Sequence, residues 1–347
     1  MKMKIGRVVL SLFCASIVAA SQLSCARKGP VKVDSGHQLV MGTFARVVVV
    51  AESHDAGLNC IRAAMAEIHK VDDLMSDYKD DSEVSRVNDK AAEIPVTVSE
   101  STFEVLQRSV EFSRLTDGAF DITIGPRMVL FRRAKEKGIA PTPEQIAKAK
   151  SKIGYEKLKF DNENRTVQFA VDGMCLDLGG IAKGYAIDKA MEAARQGGAL
   201  GAMVDIGGDI RCFGSPPEGR PHWLIAVQDP NPVAQKSGSG LLFTLKVTDA
   251  AVTTSGDYQQ YIMIDGKRRS HIMNRRTGKS AEGLSSVTII ADNATDADAL
   301  ATSVTVMGAE KGLALIEKRP ATETILISSS PEYKVTKTSG AAKYVKQ

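Results

Sequence analysis

The chain has 347 residues, of which 43% are hydrophobic, 25% are charged and 5% are aromatic, and its formal net charge is +4. This composition is ordinary for a globular protein, and the length suffices for a large core in one big domain or two closely packed ones. The small net charge, the few aromatic residues and the lack of a basic stripe argue against a nucleic-acid-binding protein.

The N-terminus has the pattern of a bacterial secretory signal. Three basic residues lie within the first seven positions, and residues 8–20 form an apolar run that is too short to span a bilayer. The following residues, Leu23-Ser24-Cys25, resemble the end of a lipobox. This pattern predicts a lipoprotein-type signal peptide over residues 1–24 and a lipidated Cys25 as the first residue of the mature chain.

The same segment leaves an alternative open. Gln22 stands where a lipobox usually has Leu, and cleavage after Ala20 would release a free periplasmic protein instead. On the lipobox interpretation, residues 25–36 are a tether, and the lipid holds the protein on the periplasmic side of a membrane, expected to be the inner membrane. No later segment of the sequence is long and apolar enough to cross a bilayer.

From residue 37 onward, apolar periodicity predicts interleaved helices and strands. In chain order the pattern predicts a strand over 38–51, helices over 58–75, 102–115 and 141–153, a hairpin over 155–171, a helix over 183–196, short strands over 202–206, 210–213, 223–227, 241–247, 261–264 and 286–290, a helix over 309–317 and a strand over 324–327. Because the elements do not form a regular βαβ series, the predicted fold class is α+β.

A segment rich in carboxylates follows the strand predicted at 286–290. Residues 292–302 read Asp-Asn-Ala-Thr-Asp-Ala-Asp-Ala-Leu-Ala-Thr. If the chain becomes helical near Ala294, Asp298 and Thr302 lie one turn apart on the same face. Two hard oxygen ligands in this arrangement suit Mg²⁺, which takes a few protein oxygens together with water or phosphate. The alternative is that these Asp and Thr residues cap the helix without any metal.

Two glycine pairs are candidate turns near a ligand. Residues 177–185, Asp-Leu-Gly-Gly-Ile-Ala-Lys-Gly-Tyr, place two glycines at a helix start, where backbone amides can approach an anion and Lys183 can add a charge. The spacing is neither a Walker nor a Rossmann fingerprint, and a plain tight turn explains it equally well. Residues 204–209, Val-Asp-Ile-Gly-Gly-Asp, favour close backbone packing, with a ligand wall as the alternative.

Two further segments carry chemically useful side chains. Residues 253–258, Thr-Thr-Ser-Gly-Asp-Tyr, precede His271, which is a candidate general base or phosphate ligand. A Ser–His–Asp hydrolase is disfavoured because Ser255 lacks the context of a nucleophile elbow. Residues 118–126, Gly-Ala-Phe-Asp-Ile-Thr-Ile-Gly-Pro, suit the wall of a flat ring, although a core turn explains them nearly as well.

Taken in order, these motifs resemble those of the ApbE family of bacterial flavin transferases. The resemblance is carried, over nearly the whole mature chain, by residues 41–43, 75–78, 82–88, 118–121, 177–185, 205–208, 253–258, 271–272 and 298–302. Each motif is weak by itself, but the ordered set is highly specific. The resemblance implies an ApbE-like, T-fold-like α+β fold of mixed sheets and packed helices over residues 37–335, followed by a C-terminal tail over 336–347.

The resemblance also implies roles for individual residues. FAD would be contacted by Met41, Tyr78, Ala119, Phe120, Asp121, Asp177, Lys183 and Ile272. Mg²⁺ would be bound by the backbone of Gly180 and by the side chains of Asp298 and Thr302. His271 would lie near the phosphates, and we take it as the candidate general base, with Asp257 behind it.

Two departures from the family pattern stand out. Where the family commonly has Asp-Pro ahead of a Thr-Gly pair, this chain has Asn274, Arg275 and Arg276. Gly179 and Gly180 stand where relatives often have Ser-Ala or Ser-Thr. A backbone ligand at Gly180 survives that change, whereas a hydroxyl contact at 179 does not.

The expected reaction is Mg²⁺-dependent transfer of FMN from FAD to a threonine hydroxyl of a partner protein, with release of AMP. The expected partner carries a Ser/Thr-Gly-Ala-Thr/Ser motif and is a membrane redox subunit. The C-terminal residues 338–342, Thr-Ser-Gly-Ala-Ala, lack the final hydroxyl, so self-modification is not expected. Two alternatives remain open: a Mg²⁺-dependent FAD pyrophosphatase that forms FMN and AMP, and a non-catalytic periplasmic flavin-binding lipoprotein.

Overall fold

The structure, a computed structural model, describes residues 29–236, 240–257, 261–264 and 267–346, so the predicted signal peptide, Cys25 and Tyr258 lie outside the described residues. The strands are β1 Val31–Asp34, β2 Gln38–Val40, β3 Thr43–Ala51, β4 Val96–Thr97, β5 Leu158–Asp161, β6 Thr166–Phe169, β7 Gly201–Ile206, β8 Asp209–Gly214, β9 Trp223–Gln228, β10 Leu241–Val247, β11 Ala250–Gly256, β12 Tyr261–Ile264, β13 Lys267–Ser270, β14 Met273–Asn274, β15 Lys279–Ser280, β16 Leu284–Ala291, β17 Glu323–Ser328 and β18 Val335–Lys337. The helices are α1 His54–Met75, α2 Glu83–Lys90, α3 Glu100–Leu115, α4 Gly125–Lys137, α5 Pro143–Lys150, α6 Ala182–Gln196, α7 Pro232–Lys236, α8 Ala294–Met307 and α9 Ala309–Ile316.

The centre of the molecule is an antiparallel sheet with both faces covered. Its described strands follow the order β1-β3-β7-β8-β11-β16-β17-β18, with β2 beside β3. Val47 and Val49 of β3 belong to the core under helices α1, α6 and α8, whereas Val48 packs with Trp223 of the β9–β10 hairpin on the opposite face. Because successive residues of a strand face opposite sides, burial of both faces accounts for the unbroken valine run 47–50.

Helices α6 and α8 lie in close contact beside this sheet. A Cβ on Gly184 would lie only 2.2 Å from the carbonyl oxygen of Ala294, so a larger residue at 184 would push the helices apart. The carboxylate of Asp188 accepts hydrogen bonds from the backbone N–H groups of Ala294 and Thr295 at 2.9 and 2.8 Å. The first turn of α8 is therefore fastened to the first turns of α6.

Most predicted elements are confirmed, but some are divided or were missed. The strand predicted over 38–51 is split into β2 and β3, because Met41 and Gly42 turn the chain with φ angles of +52° and +68°. The predicted helix at 141–153 is confirmed as α5, which begins with a capping box between Thr142 and Gln145. Helix α4 and strand β11 were not predicted, since the start of α4 was interpreted as a turn and β11 as a group of hydroxyls, and for α2 no element was predicted.

The folded domain extends beyond both of its predicted boundaries. Residues 31–34, predicted as part of a tether, form edge strand β1 and pair with β3. Residues 335–337 pair with β17, and Ala341 in the predicted tail is fully buried. Strands this short carry too few residues for a period of two to be visible in the sequence.

Every strand pairing among the described residues is antiparallel, so the expected mixed sheets are several antiparallel sheets. Within the described ranges, none of the helices combines the length and apolar character that a bilayer span requires.

Candidate active site

Asp298 and Thr302 lie on one face of α8, as the sequence predicts for a helix starting at Ala294. Asn293 is the N-cap, and its side chain accepts a hydrogen bond from the backbone N–H of Asp296. The alternative that Asp298 and Thr302 merely cap the helix is therefore wrong. Asp298 is 3% exposed, and its Oδ2 accepts a hydrogen bond from the backbone N–H of Gly184 at 3.1 Å.

Lys183 joins Asp298 to a second buried carboxylate. Its ammonium donates a short hydrogen bond to Asp209 and lies 3.4 Å from both oxygens of Asp298. Asp209 is held in turn by the backbone N–H of Thr254, which donates to its Oδ1 at 3.1 Å. Three residues from α6, β8 and α8 thus form one buried charge cluster, hereafter the Lys183 cluster.

Burial and charge act against each other in this cluster. The pKa of Asp298 is raised to about 6, mainly by burial; Lys183 acts to lower this pKa, and the neighbouring charge of Asp209 acts to raise it. Burial would lower the pKa of Lys183, but the carboxylates of Asp209 and Asp298 outweigh it and raise that pKa above its ordinary value. Lys183 therefore stays protonated at neutral pH, a fixed positive charge beside the oxygens of Asp298.

The backbone at Gly180 lies beside the side chain of Thr302. A Cβ on Gly180 would lie 3.0 Å from the hydroxyl of Thr302 and 3.3 Å from the ring of Phe120. The preceding turn is shaped by Asp177, whose Oδ1 accepts a hydrogen bond from the backbone N–H of Gly179 at 2.9 Å. The structure therefore brings together all three residues predicted to bind the metal.

This donor set fits a small, hard cation. Asp298 offers a carboxylate, Thr302 a hydroxyl and Gly180 a backbone oxygen, and the ammonium of Lys183 lies 3.4 Å from both oxygens of Asp298. Among the described residues there is no group of three or more His, Cys, Asp or Glu side chains arranged to hold a metal. A cation here would need further oxygens from water or phosphate, which is the coordination that Mg²⁺ prefers.

Tyr78 and Asp177 are brought together by an arginine that the sequence did not single out. Arg132 of α4 donates a short hydrogen bond to Asp77, and its Nη2 lies 3.4 Å from Asp177 Oδ2. Its guanidinium stands 4.7 Å from the centre of the Tyr78 ring, which is 77% exposed. Burial and the charge of Asp77 raise the pKa of Asp177. An exposed aromatic face thus lies at the edge of the Asp177 turn.

Asp121 is enclosed by protein donors. Its Oδ1 accepts hydrogen bonds from the backbone N–H and the hydroxyl of Thr123 at 2.9 and 2.6 Å. Its Oδ2 accepts from the N–H of Tyr155 at 3.1 Å and from Arg275 at 2.8 Å. Burial raises the pKa of Asp121, although these donors favour its charged form. Because the protein uses all four acceptor positions, a flavin contact at Asp121 would go through its backbone.

The remaining predicted FAD contacts occupy two loops. Ala119 is half-buried, and Phe120 is buried against Phe112 and close to Gly180, so this loop adjoins the oxygen ligands. Met41 lies in the β2–β3 turn, next to Thr43. A Cβ on Gly207 would meet the side chain of Thr43 at 2.9 Å, so the Met41 turn adjoins the turn that precedes Asp209.

His271 and Ile272 lie between two small hairpins, β12–β13 and β14–β15. Ile272 is buried, His271 is half-buried, and Ala281 N–H donates to the carbonyl of Ile272 at 2.8 Å. Asp257 faces Arg268, whose Nη2 lies 3.1 and 3.2 Å from its two oxygens, and burial raises the pKa of Asp257.

Sequence reasoning missed several positioning residues, of which Asp209, Asp188, Arg132 and Arg275 are the most important. The sequence did contain a signal for Asp209, which ends the Gly-Gly motif at 204–209, but its partner Lys183 lies 26 residues earlier in the chain. Arg127 of α4 is also buried, with 4% exposure, and within the described part of the chain neither its Nε nor its Nη1 has a hydrogen-bond acceptor. Its Nη2 lies 3.9 Å from the sulfur of Met273.

Comparison with known proteins gives a consistent result. The sequence matches the model of the ApbE family over residues 41–326. An FAD:protein FMN transferase of Haemophilus influenzae is 34% identical over 284 residues, which cover 80% of this chain and 81% of that relative. Another, of Treponema pallidum, is 32% identical over 321 residues, which cover 88% of this chain and 87% of the relative.

Solved structures agree with the sequence matches. The crystal structure of the ApbE protein from Thermotoga maritima has 30% identity and a TM-score of 0.81, covering 92% of this chain and 100% of its own. The flavin transferase ApbE from Vibrio cholerae has 28% identity and a TM-score of 0.79, covering 91% and 99%. The expected ApbE-like α+β fold is therefore confirmed.

Proposed function

This chain belongs to the ApbE family and is an FAD:protein FMN transferase, and we propose that it performs the transfer at the Lys183 cluster with Mg²⁺ as cofactor. The observation that supports this placement is the convergence of Asp298, Thr302 and the backbone of Gly180 beside a lysine that stays protonated. Neither alternative, pyrophosphatase or storage protein, is favoured by the relatives, whose names describe transfer to protein.

Asp298, Thr302 and the backbone of Gly180 are proposed to hold the metal ion. Bound there, Mg²⁺ would neutralise charge on the FAD pyrophosphate and orient it for attack. Lys183 would place a second positive charge beside the phosphates, and Asp209 keeps that lysine charged and in position.

The proposed transfer exchanges the phosphoanhydride bond of FAD for a phosphoester bond to the partner protein. A threonine hydroxyl of the partner attacks the phosphorus on the FMN side of the pyrophosphate. The bond from that phosphorus to the bridging oxygen breaks, and AMP leaves with the electron pair. His271 is proposed to accept the proton of the attacking hydroxyl, because a neutral alcohol is a weak nucleophile. FMN ends as a phosphoester of the partner.

Incubation of the purified protein with FAD, Mg²⁺ and a peptide carrying Ser-Gly-Ala-Thr tests the proposal. We expect the peptide to gain the mass of an FMN group, with one AMP released for each modified peptide. A matched peptide ending in Ala instead of Thr should remain unmodified. Free FMN and AMP without peptide modification would instead identify a pyrophosphatase, and no turnover would identify a binding protein.

The location of the protein is also a proposal. We propose that Cys25 carries a lipid that holds the enzyme on the periplasmic side of a membrane, with a membrane redox subunit as acceptor. Labelled fatty acid should be incorporated into the full-length chain and not into its Cys25→Ala variant. Incorporation into both, or into neither, would contradict the lipid anchor.

A further inference from the structure

We infer that Arg275 is a positioning residue for FMN transfer: it holds the β14–β15 hairpin, which follows His271 and Ile272, against the loop of Ala119 and Phe120. The inference rests on the function proposed above. It assigns Arg275 no contact with FAD or with the acceptor. Its role would be to set the distance between two parts of the site that come from distant parts of the chain.

The guanidinium of Arg275 is enclosed on several sides. Its Nη1 lies 2.8 Å from Asp121 Oδ2 and 3.0 Å from Glu156 Oε2. Its Cζ stands 4.9 Å from the centre of the Tyr155 ring, and the side chain is only 18% exposed. One arginine therefore joins the hairpin both to the Asp121 loop and to the turn at residues 155–157.

Gly118 provides the room for this arginine. A Cβ at Gly118 would lie 2.2 Å from Arg275 Nε, closer than any side chain could be accommodated without movement. Gly118 also has a φ of +73°, a backbone conformation that favours glycine. The loop that leads into Ala119 and Phe120 is thus shaped around the guanidinium.

The hairpin is stiff enough to transmit a displacement of its tip. Asn274 Oδ1 accepts hydrogen bonds from the backbone N–H groups of Arg276 and Thr277 at 2.9 and 3.2 Å. Asn274 also accepts the N–H of Gly278 through its carbonyl at 2.8 Å. At the other end of the hairpin, the carbonyl of Ile272 accepts a hydrogen bond from the backbone N–H of Ala281. Moving Arg275 therefore moves Ile272 as part of the same unit.

The neighbouring Arg276 provides a natural contrast. It also forms an ion pair, with Asp117, but the two side chains are 59% and 85% exposed. The carboxylate that Arg275 binds, Asp121, is 2% exposed in its side chain. A solvated pair contributes little, whereas removing one partner of a buried pair leaves an uncompensated charge. Substitution of Arg275 should therefore affect FMN transfer much more than substitution of Arg276.

The test compares Arg275→Ala, Arg275→Lys and Arg276→Ala with the wild type in the peptide assay. For Arg275→Ala we expect the KM for FAD to rise about tenfold, the scale of a charged hydrogen bond. The KM for the acceptor peptide should stay within about twofold, and Tm should fall by several degrees because Asp121 loses its buried counter-ion. Arg275→Lys should recover part of the affinity, and Arg276→Ala should match the wild type.

Other results would overturn the inference. An unchanged KM for FAD in Arg275→Ala, a fall in Tm without a change in KM, or an equal effect in Arg276→Ala would each do so. If Arg275→Ala does not fold, Glu156→Gln serves as the test, because Glu156 is an exposed partner of Arg275. A KM for FAD that rises about twofold in this variant supports the inference, and an unchanged KM contradicts it. Loss of transfer in the wild type itself would refute the proposed function rather than the role of Arg275.

Discussion

The Lys183 cluster and the hairpin after His271 are attached to the protein in opposite ways. Lys183 and Asp298 stand on long helices over the central sheet, and their charges are balanced by buried neighbours. The hairpin has two-residue strands, and the half-buried Arg275 joins it to Asp121, in the loop that follows Ala119 and Phe120. Side chains placed by close-packed helices have little freedom to adjust, whereas those on a clasped hairpin have more. The site therefore joins a rigid half, which is proposed to bind the phosphates, to a more adjustable half.

The largest effect is expected in the rigid half. Asp298→Asn should lower FMN transfer about 1,000-fold or more, because it removes the only charged ligand proposed for the metal. The change is nearly isosteric, and Lys183 keeps Asp209 as its partner, so the fold should be retained. AMP release at saturating FAD and Mg²⁺ measures the loss.

Asp292→Asn is the matched control for that substitution. Asp292 precedes the same helix but is exposed, so its loss should leave transfer unchanged. Full activity in Asp298→Asn would show that the metal does not bind at this helix, and the contrast between the two halves would lose its basis.

A smaller, graded effect is expected in the adjustable half. His271→Ala should lower transfer about 100-fold, the usual scale for loss of a general base, while FAD affinity changes little. His271→Gln can still orient a hydroxyl and should lose less. The pH dependence of kcat measured in both variants provides the check. If both variants retain the wild-type rate and pH profile, another group accepts the proton.

Acidification should weaken the rigid half selectively. Mg²⁺ needs the ionised carboxylate of Asp298, so apparent Mg²⁺ affinity should fall up to about tenfold for each pH unit below about 6. Without metal, the contribution of Asp298 to the folding stability changes with pH in the opposite direction. Because the folded pKa lies above the ordinary 3.8, this group stabilises the fold at low pH, and that contribution is lost as pH rises from about 4 to about 6.

Asp209→Asn sharpens the pH test. Asp209 raises the pKa of Asp298, so removing its charge should move the acid limb of Mg²⁺ binding to lower pH. Titration of Mg²⁺ by the shift in Tm, at several pH values, would show both effects. If Mg²⁺ affinity falls at the same pH in Asp209→Asn as in the wild type, the charge of Asp209 does not affect the pKa of Asp298.

The smallest effect concerns a buried charge without a counter-ion. Burial lowers the pKa of Arg127, and its guanidinium lacks a carboxylate partner among the described residues, in contrast to Lys183. Arg127→Met should therefore stabilise the protein, by roughly 1–2 kcal/mol in urea unfolding. Arg132→Met is the control: Arg132 has two carboxylate partners, so its loss should destabilise. Destabilisation by Arg127→Met would reveal a role for this guanidinium in the folded state.

Much of the fold was predictable, and the reason differs between elements. Helix α6 and strand β16 have long periodic or apolar sequences, so their predictions are confirmed within a few residues. Helix α4 was missed because its start, Gly125-Pro126, resembles a turn and its exposed face is rich in Arg and Lys. Strand β1 has only four residues, and its pairing with β3 is what defines it.

By itself, the sequence determined the α+β class, the ApbE resemblance and the pairing of Asp298 with Thr302, because each depends on local order or on residues one helical turn apart. Only the tertiary structure decided which charges meet: Lys183 with Asp209 and Asp298, and Arg275 with Asp121. These partners are far apart in the chain, and no local pattern encodes a contact made when sheet and helices pack. The pKa of Asp298 follows from the same packing, since burial and neighbouring charge exist only in the folded protein.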